Sequence, residues 1–135
     1  MINVKNEQGF TLIELILVVA ILGILAVAVA PQVGNIMANS QTRSRQGTVG
    51  MVQSAVNTSF SNALANTGVG AWPANLDNEA DGYVCSAAPT GVGCFGSVLA
   101  QPIRSADWRK TNGTTYQHIP SATNAVYAPG TGQFQ

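Results

Sequence analysis

Gly9-Phe10-Thr11-Leu12-Ile13-Glu14-Leu15-Ile16-Leu17-Val18-Val19-Ala20-Ile21-Leu22-Gly23-Ile24-Leu25-Ala26-Val27-Ala28-Val29-Ala30-Pro31 is the stretch that decides how this chain folds. From Phe10 to Ala30 its only ionisable group is Glu14 and its only hydroxyl is Thr11. As a helix rising ~1.5 Å per residue it would be about 31 Å long, the thickness of a bilayer's hydrocarbon core. Glu14 is the anomaly. A carboxylate inside a membrane helix costs on the order of 2 to 3 kcal/mol at depth and is tolerated where it has a partner or a task. No Lys, Arg or His lies within one helical turn of it, and Lys5 and Glu7 are not at i−3 or i−4. The expected partner is therefore another molecule, the interface, or a charge made by processing. Cleavage after Gly9 would make such a charge by placing an α-amino group on Phe10, one turn before Glu14.

The residues that carry a resemblance are now in view. A short polar leader ending in Gly9, then Phe10-Thr11-Leu12-Ile13-Glu14, an unbroken apolar helix containing Gly23, and Pro31 at its far end resemble the prepilin N-terminus of type IV pilins and type II secretion pseudopilins. The likeness is specific over about the first forty residues and fades beyond them. It implies that a membrane prepilin peptidase cuts between Gly9 and Phe10 and methylates the new N-terminal Phe10. It implies that Glu14 pairs with the N-terminal amine of a neighbouring subunit during assembly, and that Pro31 kinks the helix. It also implies a platform membrane protein and a cytoplasmic assembly ATPase as partners, with the leader in the cytoplasm and the bulk of the chain outside.

Two other readings fit the same stretch less well. In a secretory signal, Lys5 would be the charged region and Ala28-Val29-Ala30 the cleavage site, so the mature chain would begin at Pro31. The apolar run is longer than the usual ~7 to 15 residues, and Glu14 would have no purpose there. A plain single-span anchor explains the length but not the order Gly-Phe-Thr-Leu-Ile-Glu.

With the leader (1–9) and the apolar helix (10–30) set aside, the 135-residue chain keeps enough length for one small domain. Formal net charge is zero and only 9% of residues are charged, so there is no basic field for nucleic acid and no acidic surface for a cationic substrate. Low charge suits a subunit that packs against copies of itself. Residues 31–67 continue the helix in amphipathic form, with Val49, Val52, Val56, Phe60 and Ala63 at three- and four-residue spacing. Pro31 removes an amide donor and should kink this helix, with Gly34 loosening the same turn. Asn66-Thr67-Gly68 signals its C-terminal end.

Residues 68–135 change character. Gly, Pro, Asn, Ser and Thr punctuate short β-prone runs, giving candidate strands at Tyr83 to Ala87, Cys94 to Leu99, Thr114 to Ile119 and Ala125 to Tyr127, with a turn at Pro120 to Asn124. The fold class expected is α+β: one long N-terminal helix whose second half carries a small antiparallel sheet. Val52, Val56 and Phe60 should meet that sheet, and Trp72, Phe95, Trp108 and Tyr116 should fill the space between.

Cys85 and Cys94 are the whole thiol inventory. In an oxidising compartment they should be bridged. A metal site built on them is the weaker reading, because His118 is the only histidine. Asp77, Glu79 and Asp81, followed by Gly82, resemble the opening of a calcium loop, but Ala88 stands where a bidentate acid would be needed. An exposed acidic turn is the simpler account. Arg104, Asp107, Arg109 and Lys110 around Trp108 read as a mixed-sign surface turn.

Catalysis finds no foothold. There is no Gly-x-Ser-x-Gly elbow, no glycine-rich phosphate loop and no paired acids in an evident pocket, so neither enzyme activity nor a cofactor is expected. The function expected is a structural subunit that polymerises with copies of itself into a helical extracellular filament after a stage in the inner membrane. The alternatives are a type II secretion pseudopilin in a periplasmic pseudopilus, or a minor or tip pilin with a binding role. The family's Pro-x-Asp-Pro-Trp-Gly-like loop of major pseudopilins is missing, since Ser105-Ala106-Asp107 precedes Trp108.

Overall fold

The computed structural model describes residues 10–86 and 93–135. The leader with Gly9, Ala87 at the end of one candidate strand, and Ala88 of the calcium pattern lie outside the described residues. Helix α1 (Leu12–Thr67, 56 residues) is followed by four strands, β1 (Trp108–Asn112), β2 (Thr115–His118), β3 (Thr123–Ala128) and β4 (Gln133–Phe134). The chain forms two compact units that divide between Ala38 and Asn39, within α1.

In the first unit α1 runs through Pro31 without a break. Every large apolar side chain from Phe10 to Met37 is exposed, Val27 at 78%. Each Val, Leu, Ile or Phe left in water forgoes roughly 1.5 to 3 kcal/mol of burial. A surface of this kind is stable only under lipid or under other apolar helices. This is the one helix among the described residues long and apolar enough to cross a membrane.

In the second unit the helix ends where its cap signal stands: Gly68 adopts φ +73° and its amide donates to the Leu64 carbonyl at 2.9 Å. Val52 and Val56 are fully buried, with Val49 packed beside them. The sheet they face is antiparallel in the order β1-β2-β3-β4. Trp108 pairs with His118, Tyr116 with Ala125, and Tyr127 with Phe134. Period-two alternation turns Trp108, Tyr116, Ala125, Tyr127 and Phe134 inward. Gln53 fastens the short edge strand to the helix: its amide donates to the Gly132 carbonyl at 2.9 Å and its carbonyl accepts the Phe134 amide at 2.7 Å. Phe60 stacks on Trp72 at 4.2 Å between ring centroids. Trp72 also meets Gly132, where a Cβ would overlap the ring.

Two of the four candidate strands are present, as β2 and β3, and Ile119 to Ala122 makes the turn between them. The other two are not strands. Val84 makes a single bridge to Arg109, and Cys94 a single bridge to Ile103. After Cys94 the backbone turns, because Phe95 takes φ +64°, a conformation that ends an extended run. A phenylalanine holds it because its ring is fully buried against Trp108, Tyr116 and Phe134 while its amide is fixed by Asp77. Of the stretch read as a mixed-sign surface turn, Arg104 and Asp107 are exposed ahead of the sheet, but Trp108, Arg109 and Lys110 open β1, where Trp108 and Lys110 point in and Arg109 points out.

Cys85 and Cys94 form a disulfide with Cα atoms 5.2 Å apart, and both are fully buried. In the chain-entropy account, closing a loop of this length stabilises by about 2.5 to 3 kcal/mol. The double variant Cys85→Ser/Cys94→Ser should lose that amount in urea titrations of the detergent-solubilised chain. An unchanged midpoint would show that the bridge is dispensable.

His118 gives the domain a pH dependence. It is buried beside Trp108, and its Nδ1 shares a hydrogen bond of 2.7 Å with the Ser121 hydroxyl. Burial holds its imidazole below the usual range, with Asp107 opposing and Arg45 assisting. The unfolded chain therefore takes up this proton at a higher pH than the folded one. The stability that the neutral imidazole contributes is complete above the ordinary value near 6.5 and is lost as pH falls below it and through the lower folded value. The thermal midpoint should fall between roughly pH 7.5 and 5.5 and fall less in His118→Gln; parallel curves for the two would remove the histidine as the cause.

Candidate assembly site

The site begins where α1 begins. Thr11 is not yet helical, and its carbonyl accepts from the Glu14 amide at 3.1 Å and the Leu15 amide at 3.3 Å. Three residues on, the Glu14 carboxylate reaches back: Oε2 accepts the Thr11 amide at 2.9 Å and the Thr11 hydroxyl at 2.7 Å. The Glu14 amide in turn donates to Thr11 Oγ1 at 3.4 Å. This is a capping box, in which a Thr at the N-cap and a Glu three residues later satisfy each other's orphan groups. The expectation that the partner of Glu14 must come from outside the chain is corrected to that extent. Thr11 supplies two donors, an amide and a hydroxyl, neither of them a cation. The signal that finds it is Thr-x-x-Glu before an apolar run.

Among the described residues the side chains that flank this box are apolar. Phe10, Leu12, Ile13, Leu15 and Ile16 are all exposed, and Glu14 is the only ionisable group from Phe10 to Ala30. A carboxylate that already holds two hydrogen bonds and sits within a turn of the Phe10 nitrogen can receive an ammonium group. Pro31 stands one apolar run further along the same helix.

Of the acidic pattern in the second unit, Asp81 is exposed in a turn as expected, but Asp77 is not. Asp77 is buried, and its carboxylate accepts four hydrogen bonds: Lys110 Nζ at 2.8 Å and the Glu79 amide at 3.3 Å on Oδ1, the Phe95 amide at 3.1 Å and the Tyr116 hydroxyl at 2.9 Å on Oδ2. Lys110 is buried as well and also donates to the Glu79 carbonyl at 2.7 Å. Burial first, and then the Asp77 charge, pushes the Tyr116 phenol far above its usual range, so it remains a donor. The ammonium of Lys110 thus sits on the carboxylate that a cation would have needed. Among the described residues no group of three or more His, Cys, Asp or Glu is placed to hold a metal ion. No local signal marks Asp77 or Lys110 as a pair, since they lie 33 residues apart.

Comparison with known proteins falls on the same N-terminal stretch. Residues 4–30 match the family described as the prokaryotic N-terminal methylation motif. The type IV major fimbrial protein FimA of Dichelobacter nodosus is 46% identical over 52 residues, covering 38% of this chain and 33% of that protein. The fimbrial protein EcpC of Eikenella corrodens is 35% identical over 102 residues, covering 70% of this chain and 61% of that protein. The matched stretch thus spans about a third of the FimA length and less than two thirds of EcpC. No solved structure matches the chain.

Proposed function

From a chain that carries the prepilin methylation motif and is similar to type IV fimbrial proteins, we propose a type IV pilin: a structural, non-enzymatic subunit of an extracellular filament. The observation that carries this is the wholly exposed apolar helix with one acid, Glu14, a turn away from Phe10. As a precursor the helix lies in the inner membrane. A prepilin peptidase cuts between Gly9 and Phe10 and methylates Phe10. The new amine of one copy then pairs with Glu14 of the next, and the apolar face exchanges lipid for neighbouring helices.

Each part follows from a physical need. The exchange of lipid for protein brings little hydrophobic gain, so the helices associate through packing and polar contacts. A single acid–amine pair per subunit in that setting defines the axial register. Pro31 lets the helix bend as it leaves the membrane core. A platform protein and an assembly ATPase supply the work of extraction. The fimbrial names of the relatives, together with the missing Pro-Trp loop, favour a pilin over a secretion pseudopilin.

The test is the N-terminus of the surface material. Filaments sheared from cells and measured by tandem mass spectrometry should begin at N-methylated Phe10. A chain beginning at Pro31 would make this a secreted soluble protein and end the proposal.

A further inference from the structure

We infer that the Asp77–Lys110 pair is the reactant state of an isopeptide bond, in which the lysine amine and the aspartate carboxyl condense to an amide with loss of water. The pair lies wholly in the second unit, so the inference depends on neither the membrane stage nor assembly. Lys110 Nζ is 2.8 Å from Asp77 Oδ1, one bond away from the carbon it would attack, and the two side chains are only 6% and 2% exposed. Phe95 and Tyr116, which supply the donors on the other carboxylate oxygen, are fully buried. A nucleophile held beside its electrophile reacts as in a unimolecular step, with its orientation already fixed. Burial also favours the product, since desolvation offsets much of the attraction within a buried ion pair and a neutral amide does not carry that cost.

The atoms balance without a co-reactant. The Lys110 ammonium passes one proton to Asp77 Oδ1, leaving an amine and a carboxylic acid. The Nζ lone pair then forms a bond to Cγ, and negative charge develops on Oδ2. A second proton moves from Nζ to Oδ1, the Cγ–Oδ1 bond breaks, and Oδ1 leaves as water. The product is an Nζ–H amide whose carbonyl oxygen is Oδ2.

The groups around the pair match this course. Oδ2 accepts the Tyr116 hydroxyl at 2.9 Å and the Phe95 amide at 3.1 Å, two fixed donors on the oxygen where charge develops. Burial, the larger cause, holds the Tyr116 phenol far above its usual range, so it keeps the proton it donates. The Glu79 carbonyl, 2.7 Å from Nζ, accepts the N–H that remains. Of the contacts on the carboxylate, the one lost is the longest, from the Glu79 amide to Oδ1 at 3.3 Å. A cavity of about 180 Å³, lined by Asp77, Asn78, Glu79, Gly93, Gly96 and Ser97, takes up the released water. The bond would join residues 33 apart, with the Cys85–Cys94 disulfide nested between them, by a link that no reductant opens.

Mass spectrometry of the full chain, purified from membranes in detergent and then reduced, alkylated and denatured, tests this. The wild-type chain should be lighter by one water than its residues require. Trypsin should fail to cut after Lys110 and should release one branched peptide joining Asp77 to Lys110. Lys110→Arg keeps the positive charge but offers no amine nucleophile, and should regain the full mass. The inference is overturned by full mass and cleavage after Lys110 in the wild-type chain. It is equally overturned if the lost water maps to a linear peptide, as a cyclic imide at Asp81-Gly82 would give. Should Lys110→Arg not fold, the branched peptide in the wild-type digest, present or absent, still decides.

Discussion

Cells carrying Glu14→Gln should process and methylate the chain normally and show no surface filaments. The substitution keeps the size of the side chain and its ability to accept from Thr11 Oγ1 and the Thr11 amide, so the helix start survives. What it removes is the charge. On the proposed mechanism that charge is the only one in the apolar run, and nothing else from Phe10 to Ala30 can answer the neighbour's ammonium. A buried ammonium facing a neutral amide is a charge left without its counterion, at several kcal/mol per subunit. Because the contact repeats along the filament, the loss acts at every added subunit. The measurement is a pair: the N-terminal mass of the membrane-bound chain, and electron microscopy of sheared material. Processed chain without filaments is the expected result; filaments in wild-type number would remove the pairing from the account.

The largest expected effect on stability belongs to the other end of the fold. Lys110→Met should destabilise the second unit by about 3 to 5 kcal/mol, since it strips the counterion from a carboxylate that stays buried. Asp77 would keep the Tyr116 hydroxyl and two backbone amides, which places the loss toward the lower figure. Those same contacts explain why the damage would spread. Asp77 fixes the Phe95 amide, and Phe95 at φ +64° is the hub around which Trp108, Tyr116 and Phe134 pack. The double variant Asp77→Asn/Lys110→Met removes both charges and should recover part of the loss, because no uncompensated charge remains. Urea titrations followed by circular dichroism read both. Additive losses in the double variant would mean that the two groups act separately.

The parts of this fold that were legible in the sequence are those whose signal is local. The apolar run, the Asn66-Thr67-Gly68 helix end and the alternating strands β2 and β3 each declare themselves within a few residues. The Cys85–Cys94 bridge follows from there being no other thiol. The failures share a cause: a residue whose role is decided far away in the chain. Lys110 looks like a surface charge until Asp77 is set against it, and so strand β1 was read as a turn. Phe95 looks like the second residue of a strand until Asp77 and three rings are seen to hold its backbone reversed. Strand β4 is two residues long and exists through Gln53 and β3. Thr11 is the exception, because its capping box was readable three residues apart. Its donors are neutral, so a lone acid's need for a cation does not point to them.

The most direct test of the central claim is a contact between two copies. Filaments would be co-assembled from one population labelled with ¹⁵N at Phe10 and a second labelled with ¹³C at the Glu14 carboxyl, and examined by solid-state NMR. The account predicts a nitrogen–carbon correlation in these mixed filaments, which can arise only between neighbouring subunits. A correlation seen when both labels share one chain, and absent from the mixed filaments, would contradict it.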